Sequence, residues 1–195
     1  MKKAEKITRI IACAVFRPAV ENLQMERRYP GLRLTYLPSK LHLRPQELKD
    51  RLSREVTAAK ERGERIICLY GICFPDIDDF CREQEVLKVP GHYCYEMLLG
   101  SERFEQLIKE MAGTYFAERD LIVNFEEYCV RPLELHDAEM RDYCFRQYRR
   151  LLYVRQPSDP DLVPKASEVA DFIGLSLDIR DVDYSHLEKR LIGFL

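Results

Sequence analysis

The sequence between residues 45 and 70 constrains the fold more than any other part of the chain. A helix is predicted to begin at Pro45, because the N–H that proline lacks would have no partner in the first helical turn. The apolar stripe of this helix has helical spacing: Leu48, Leu52, Val56 and Ala59. After a glycine at position 63, residues 65–70 are almost continuously apolar, as a strand covered on both faces is. A helix followed directly by such a strand is typical of a parallel sheet with helical crossovers.

The same alternation recurs along the chain. The sequence predicts strands at 7–13, 32–37, 65–70, 86–89, 151–154 and 177–179. It predicts helices at 18–28, from 45 to the capping glycine at 63, at 95–111 with a break at 100–101, at 161–173 and from 185, and residues 140, 144, 148 and 151 also have helical spacing. Residues 113–135 are ambiguous, and we interpret them as a loop with a little strand around 121–125. We expect an α/β fold: one domain over residues 1–195, with a mainly parallel, Rossmann-like or flavodoxin-like sheet and helices on both faces.

Composition and motifs exclude several classes of protein. Thirty-one Lys and Arg against 33 Asp and Glu give a net charge of −2, which leaves no basic field for nucleic acid or an anionic membrane. The apolar run at 10–16 is too short for a signal sequence, and no stretch approaches the roughly 18 apolar residues of a membrane span, so we expect a cytoplasmic protein. Phosphate-binding glycine loops and a Gly-x-Ser-x-Gly elbow are absent from the sequence.

Seven cysteines are the unusual feature of the composition. An odd number without a secretory signal fits poorly with disulfides, and favours metal ligands, nucleophiles or core residues. Cys13 ends the first predicted strand, Cys73 follows the third and Cys94 follows the fourth. Because the carboxyl ends of parallel strands meet at one edge of a sheet, we expect these thiols at one site. Three thiolates can hold a single metal such as zinc, or three corners of an iron–sulfur cluster such as 4Fe–4S.

A buried, purely structural thiol is the alternative for each of these cysteines, since free cysteine is among the most buried residue types. We assign that structural role to Cys68 and Cys144, and we interpret Cys81 and Cys129, in less regular segments, as thiols of the surface or of a satellite core. His42, in the loop after the second predicted strand, and His92, two residues before Cys94, are candidates for a fourth ligand or an acid–base group. A hydrogen bond to a loop carbonyl is an equally good interpretation of either histidine, and catalytic residues remain unassigned.

The ordered motifs resemble one known family. They are ACAVFRP at 12–18, LH at 41–42, LYGIC at 69–73, VPGHYC at 89–94, LLGS at 98–101 and GTY at 113–115. Over about residues 7–190 this series resembles the bacterial and archaeal domain of unknown function numbered sixteen thirty-eight. The resemblance implies an anaerobic setting beside corrinoid-dependent methyltransferases, in methylamine or methoxy-compound metabolism, and it does not imply an established activity. The family's motifs contain the same three cysteines and two histidines, which favours a shared metal site.

Departures from the family pattern point to a different ligand in this member. Tyr93 stands where the family has Asp, residues 118–120 replace a Gly-Trp, and the Pro-Pro-Gly ending is missing.

Three hypotheses follow from the sequence. The first is a metal-binding or iron–sulfur protein in which an open metal position acts as a Lewis acid on a small-molecule ligand. The second is a non-catalytic accessory protein that docks on a corrinoid protein or methyltransferase, and the third is an enzyme with a thiolate nucleophile. The sequence indicates no nucleic-acid or membrane partner, and it leaves the oligomeric state, the metal and the substrate open.

Overall fold

The computed structural model describes residues 7–195, and every strand pairing within them is parallel. The strands are β1 (Thr8–Cys13), β2 (Leu32–Leu37), β3 (Arg65–Leu69), β4 (Leu87–Lys88), β5 (Thr114–Ala117), β6 (Arg150–Arg155) and β7 (Ser176–Asp181). They form a four-stranded sheet of order β2-β1-β3-β4 and a three-stranded sheet of order β5-β6-β7. The first order is that of the opening four strands of a flavodoxin-like sheet.

The helices connect successive strands, as parallel pairing requires. They are α1 (Arg17–Asn22), α2 (Met25–Arg28), α3 (Pro45–Glu61), α4 (Ile77–Glu83), α5 (Cys94–Leu99), α6 (Ser101–Glu110), α7 (Arg119–Val123), α8 (Ala138–Phe145), α9 (Val163–Phe172) and α10 (Ser185–Ile192). Short 3-10 turns at Ala14–Phe16 and Ser39–Leu43 and a π-helical turn at Glu126–Val130 complete them. Over residues 7–195, no helix is both long and apolar enough to cross a membrane.

The expected α/β fold with parallel strands is therefore confirmed. We expected one sheet, whereas the described strands form two. The chain divides into two compact units. The first unit comprises the described residues up to Met97 together with Leu187–Leu195, and the second comprises Leu98–His186. Residues 1–6, which precede the apolar run that the sequence analysis compared with a signal sequence, lie outside the described part of the chain.

The core of the first unit forms where α3 and α4 cover one face of the four-stranded sheet. The four predicted stripe residues of α3 are all buried there, in one cluster with Ile11, Leu37, Cys68 and Tyr70. Each fully buried aliphatic side chain of this kind contributes about 1.5–3 kcal/mol from removal of its apolar surface from water. Ile67 and Leu69, which point to the opposite face of β3, are also fully buried, and this explains the continuous apolar sequence of that strand.

Several local expectations were wrong. Residues 18–28 form two short helices because Gln24 adopts a left-handed conformation, with φ of 50°. Around 121–125 the chain is helical, and the strand of this region is β5, which has only four residues. Cys94 begins α5 instead of lying in a loop. The remaining predicted strands, and the break between two helices at Gly100, are present with shifts of a few residues at their ends.

Candidate functional site

The order of strands in the first unit creates a topological switch point between β1 and β3. The chain leaves β1 for β2 on one side and later returns to β3 on the other side. In open parallel sheets, ligands bind at the carboxyl ends of the strands beside such a point. Cys13 is the last residue of β1, and Ala12 pairs with Leu69, so that Tyr70 is the next residue opposite Cys13. This edge of the sheet is the candidate site.

Cys13 and Tyr70 lie on the same face of the sheet. Side chains alternate between faces along a strand, and Ile11 and Cys68, two residues before each of them, both belong to the core under α3 and α4. Cys13 and Cys73 pack against that same core from its edge, each half-buried. The fold therefore brings two of the three predicted thiols to one edge and one face.

Tyr70 is the most unusual residue of this edge. Its side chain is buried, and its hydroxyl has no hydrogen-bond partner. Cys13 and Cys73 pack against the core cluster that contains Tyr70 and Cys68. Burial, with a smaller contribution from these thiols, raises the pKa of Tyr70 far above its usual value, so the residue stays a neutral O–H donor. The sequence analysis did not identify Tyr70. The only sign of it in the sequence is that a tyrosine directly follows an almost continuously apolar strand.

A close backbone contact joins the loop that carries Cys73 to the loop before Cys94. The amide of Ile72 donates to the carbonyl of His92 at 2.8 Å. A Cβ at Gly71 would lie 2.3 Å from that same carbonyl oxygen, so only glycine permits this approach. The φ of Gly71 is not positive, so proximity to the backbone of His92 is the reason that glycine is needed there.

Cys73 is half-buried, and the charge of Lys88 acts on its thiol. Burial raises the pKa of the Cys73 thiol, whereas a backbone hydrogen bond with Gly71 and the charge of Lys88 act in the opposite direction. The ammonium of Lys88 is 3.2 Å from the carboxylate of Asp78 and donates to the carbonyl of Gly91 at 3.4 Å. The sequence analysis did not identify Lys88 as a site residue. Strand β4 has only two residues, and nothing in them indicates that the lysine side chain lies near these loops.

The two histidines are at the rim of the site. Nδ1 of His42 is 2.8 Å from the carbonyl of Ser39, which supports the loop-carbonyl interpretation, and its ring is exposed. The His92 side chain is 67% exposed. Its backbone amide donates to Oε2 of the buried Glu96 at 2.8 Å, and its ring Nδ1 lies 3.6 Å from the same oxygen. Glu96, which sequence reasoning also missed, thus fixes the start of α5.

The predicted ligands share an edge of the sheet, but they do not form a ligand sphere in this structure. Within residues 7–195, no three or more His, Cys, Asp or Glu side chains form a group that could hold a metal ion. Cys94, which is half-buried in the first turn of α5, directly follows the loop that is hydrogen-bonded to the Cys73 loop. A metal could therefore be held only after side-chain rearrangement.

The remaining four cysteines occupy packing positions. Cys68 and Cys81 are buried in the core of the first unit and hydrogen-bond to each other. This hydrogen bond, together with burial, raises the pKa of Cys68. In the second unit, Cys129 is buried with its sulfur 3.4 Å from the hydroxyl of Tyr115, and Cys144 is half-buried in α8.

Comparison with known proteins gave one match. A family model described as "Protein of unknown function (DUF1638)" matches residues 36–191. This range contains His42, Cys73, His92 and Cys94. Cys13 lies before it, although the resemblance seen in the sequence begins at about residue 7. No curated protein and no solved structure matches the chain.

Proposed function

We propose that this chain, which belongs to the DUF1638 family, is a metal-binding or iron–sulfur-binding protein with Cys13, Cys73 and Cys94 as its ligands. The observation that carries the proposal is the hydrogen bond from Ile72 to His92, since it joins the loops of two of these cysteines at the edge where β1 delivers the third. The topological switch point between β1 and β3 supports the same location.

The residues at this edge have the chemistry that such a group requires. Thiolates are the preferred protein ligands of iron–sulfur clusters and are common ligands of zinc. Their negative charge would be partly balanced by Lys88, whose side chain is largely buried beside Cys73. His42 or His92 could supply a fourth ligand after rotation. A bound metal with an open position would supply Lewis-acid chemistry toward a small ligand.

The cellular setting is also part of this proposal. The resemblance to the family supports a role in anaerobic corrinoid-linked methyl or one-carbon metabolism. Reduced cysteines such as Cys68 and Cys81, which are adjacent yet not joined in a disulfide, are compatible with a reducing cytoplasm.

A non-catalytic accessory protein for a corrinoid protein or methyltransferase is a second candidate. It is favoured by the two exposed side chains of the joined loops, Ile72 and Tyr93, which are 49% and 48% exposed. Large apolar groups exposed together are typical of contact surfaces. The test is binding to a corrinoid protein after all three ligand cysteines are changed to serine, because retained binding would favour this candidate. The nucleophile hypothesis finds no support at Cys73, whose pKa is raised and not depressed.

The metal proposal predicts a defined loss of cofactor in single variants. After anaerobic purification, the wild-type protein should contain iron with sulfide, or zinc, and each of Cys13→Ser, Cys73→Ser and Cys94→Ser should retain less than about a tenth of it, since a thiolate ligand is lost. The measurements are metal and sulfide content per chain and the visible absorption spectrum.

The matched control is Cys144→Ser, because Cys144 is also half-buried but lies in α8 of the second unit. This variant should keep the wild-type content. A colourless wild-type protein that cannot be loaded with iron and sulfide, or with zinc, would contradict the proposal, as would an equal loss in Cys144→Ser.

A further inference from the structure

The three-stranded sheet of the second unit has buried polar side chains at the carboxyl ends of its strands. Glu118 directly follows β5 and Gln156 directly follows β6, and only 5% and 2% of them are exposed. Ala117 pairs with Tyr153, so the backbone of Glu118 is level with the last residues of β6. Ligands of open parallel sheets bind at this edge, and the proposed cysteine site uses none of these residues.

The side chain of Gln156 lacks the hydrogen bonds that a buried amide requires. Within residues 7–195, neither its amide oxygen nor its amide nitrogen has a hydrogen-bond partner, although both atoms are buried. A primary amide donates two hydrogen bonds and accepts two, and burying it without them is unfavourable. Because buried polar groups in folded proteins are almost always bonded, the Gln156 amide indicates a bound polar molecule.

Asp159 contributes a third buried polar atom from the same turn. Its backbone amide donates to the carbonyl of Gln156 at 3.0 Å, which closes a β-turn with Pro157 at the second position. Oδ2 of Asp159 accepts from the backbone amide of Gln156 at 2.9 Å and from the hydroxyl of Tyr153 at 2.7 Å. Oδ1 is buried and has no partner among the described residues. The two donors therefore fix the carboxylate beside Gln156 and leave Oδ1 available to a ligand.

The three unpartnered atoms define what a ligand must present to them. The amide oxygen of Gln156 and Oδ1 of Asp159 accept hydrogen bonds, and the amide nitrogen of Gln156 donates. A complementary ligand thus has two donors and one acceptor. The best partner of a glutamine amide is a planar edge that carries a donor beside an acceptor, as adenine does. A ureido group, with an N–H on each side of a carbonyl, has the complete pattern.

The charges of this edge favour a neutral ligand. A cation could donate to Asp159, but it would leave the amide nitrogen of Gln156 without an acceptor. An anion would meet the Asp159 carboxylate, and the arginine that precedes Gln156 is not available to compensate it, since Arg155 donates to both carboxylate oxygens of Asp181 at 2.6 and 2.9 Å. Burial raises the pKa of Glu118 to about 8, so this group adds no second negative charge at neutral pH.

We propose that the turn at residues 156–159 forms a second binding site, for a small neutral molecule with a ureido group. The ligand carbonyl accepts from the amide nitrogen of Gln156, one ligand N–H donates to the Gln156 amide oxygen, and the other donates to Oδ1 of Asp159. All of these residues belong to the second unit, so the site is independent of the proposed metal site.

The turn itself is the route by which a ligand reaches these atoms. Pro157 is exposed, and Ser158 and Asp159 are half-buried, so the turn lies at the protein surface. A hydrogen bond between the hydroxyls of Ser158 and Tyr184 holds it in place. Since the three unpartnered atoms are buried, the turn must move outward to admit the ligand and then close over it.

The experiment compares two probes that differ only in their donors. Ethyleneurea is a cyclic urea with two N–H groups, and its N,N′-dimethyl derivative keeps the carbonyl but has no N–H. The full chain labelled with ¹⁵N is titrated with each probe, and the side-chain NH₂ signal of Gln156 is followed by NMR. Its absence in Gln156→Met identifies the signal. Ethyleneurea should shift it saturably, and the dimethyl derivative should bind at least about tenfold more weakly, because both donors are lost.

Asp159→Asn tests the second acceptor without removing the turn. The asparagine oxygen can accept the two bonds that Oδ2 accepts, whereas its NH₂ group then replaces Oδ1 and opposes the ligand N–H. The affinity for ethyleneurea should fall about tenfold. Gln147→Met, an exposed substitution in the same unit, is the control and should keep the wild-type affinity.

Saturable binding of ethyleneurea that is weakened both by N-methylation and by Asp159→Asn supports the inference. It is overturned if ethyleneurea causes no saturable shift in the folded protein, because the Gln156 amide is then bonded to internal water only. Equal affinities for the two probes, or an unchanged affinity in Asp159→Asn, also overturn it. None of these outcomes depends on whether the cysteines bind a metal.

Discussion

Gly71→Ala should lower the free energy of unfolding by about 2–4 kcal/mol, an effect typical of a forced backbone displacement. The added Cβ would lie 2.3 Å from the carbonyl oxygen of His92 and 2.9 Å from its carbonyl carbon. Both atoms belong to the backbone, so no side-chain rotation can relieve the clash. The two loops must separate, and the 2.8 Å hydrogen bond from Ile72 to His92 is lost with them. Urea-induced unfolding gives the change in free energy.

Gly31→Ala is the control for this prediction, because a Cβ at Gly31 would meet no atom within 4 Å and its φ is not positive. It should leave the free energy of unfolding within about 0.5 kcal/mol of the wild type. Under the proposed function, Gly71→Ala should also reduce bound metal, since Cys73 lies on one of the separated loops and Cys94 directly follows the other. Equal stability of the two alanine variants would show that the loops are not held by this contact.

In the first unit, α3 and β3 could be predicted because their apolar patterns are long or nearly complete. The stripe on α3 extends over about three turns, and β3 is apolar at nearly every position, so helix and strand are distinguished without tertiary information. By contrast, β5 has four residues, and the helix after it begins at a cap formed by the side chain of Glu118. Four residues carry too little periodicity to separate a strand from a loop, and for this reason the prediction over 113–135 was wrong.

The division into two sheets could not be predicted, because strand pairing is decided by contacts between segments distant in sequence. The buried strand β6 resembles any buried parallel strand, and nothing in it specifies β5 as a partner in place of β4. The same distinction between local sequence pattern and contacts of distant segments applies to the candidate site. Cys13 and Cys73 were predicted from their places at strand ends, whereas the unpartnered hydroxyl of Tyr70 and the position of Lys88 depend on the packed structure.

The free energy of unfolding should also depend on pH, through the protonation of Glu118. This carboxyl group is buried at the end of β5, where it accepts backbone hydrogen bonds from Asp120 at 2.7 Å and Leu121 at 3.1 Å. Burial is the main cause that raises its pKa from 4.5 to about 8, and the negative charges of Asp120 and Asp159 add to it. The backbone hydrogen bonds act in the opposite direction without offsetting burial.

The direction of the stability change follows from proton binding. Between pH 4.5 and about 8, the folded protein keeps the proton on Glu118 and the unfolded chain does not, so unfolding releases a proton. The stabilisation is complete below pH 4.5 and is lost as the pH rises through about 8. Glu64 acts in a separate range: hydrogen bonding to Arg9 lowers its pKa to about 2, so its contribution is lost only below its usual value of 4.5.

We therefore expect the free energy of unfolding to fall by about 3 kcal/mol between pH 5.5 and pH 8.5, a range in which Glu64 stays ionised. Glu118→Gln should remove most of this dependence, because the amide does not titrate, although it should cost about 1 kcal/mol at pH 5.5 through one lost helix-capping bond. Glu127→Gln, an exposed substitution in the same unit, should keep the wild-type dependence. Denaturant unfolding at the two pH values tests all three proteins. Equal slopes in wild type and Glu118→Gln would mean that Glu118 is ionised in the folded protein, with the buried charge held by its two amide donors.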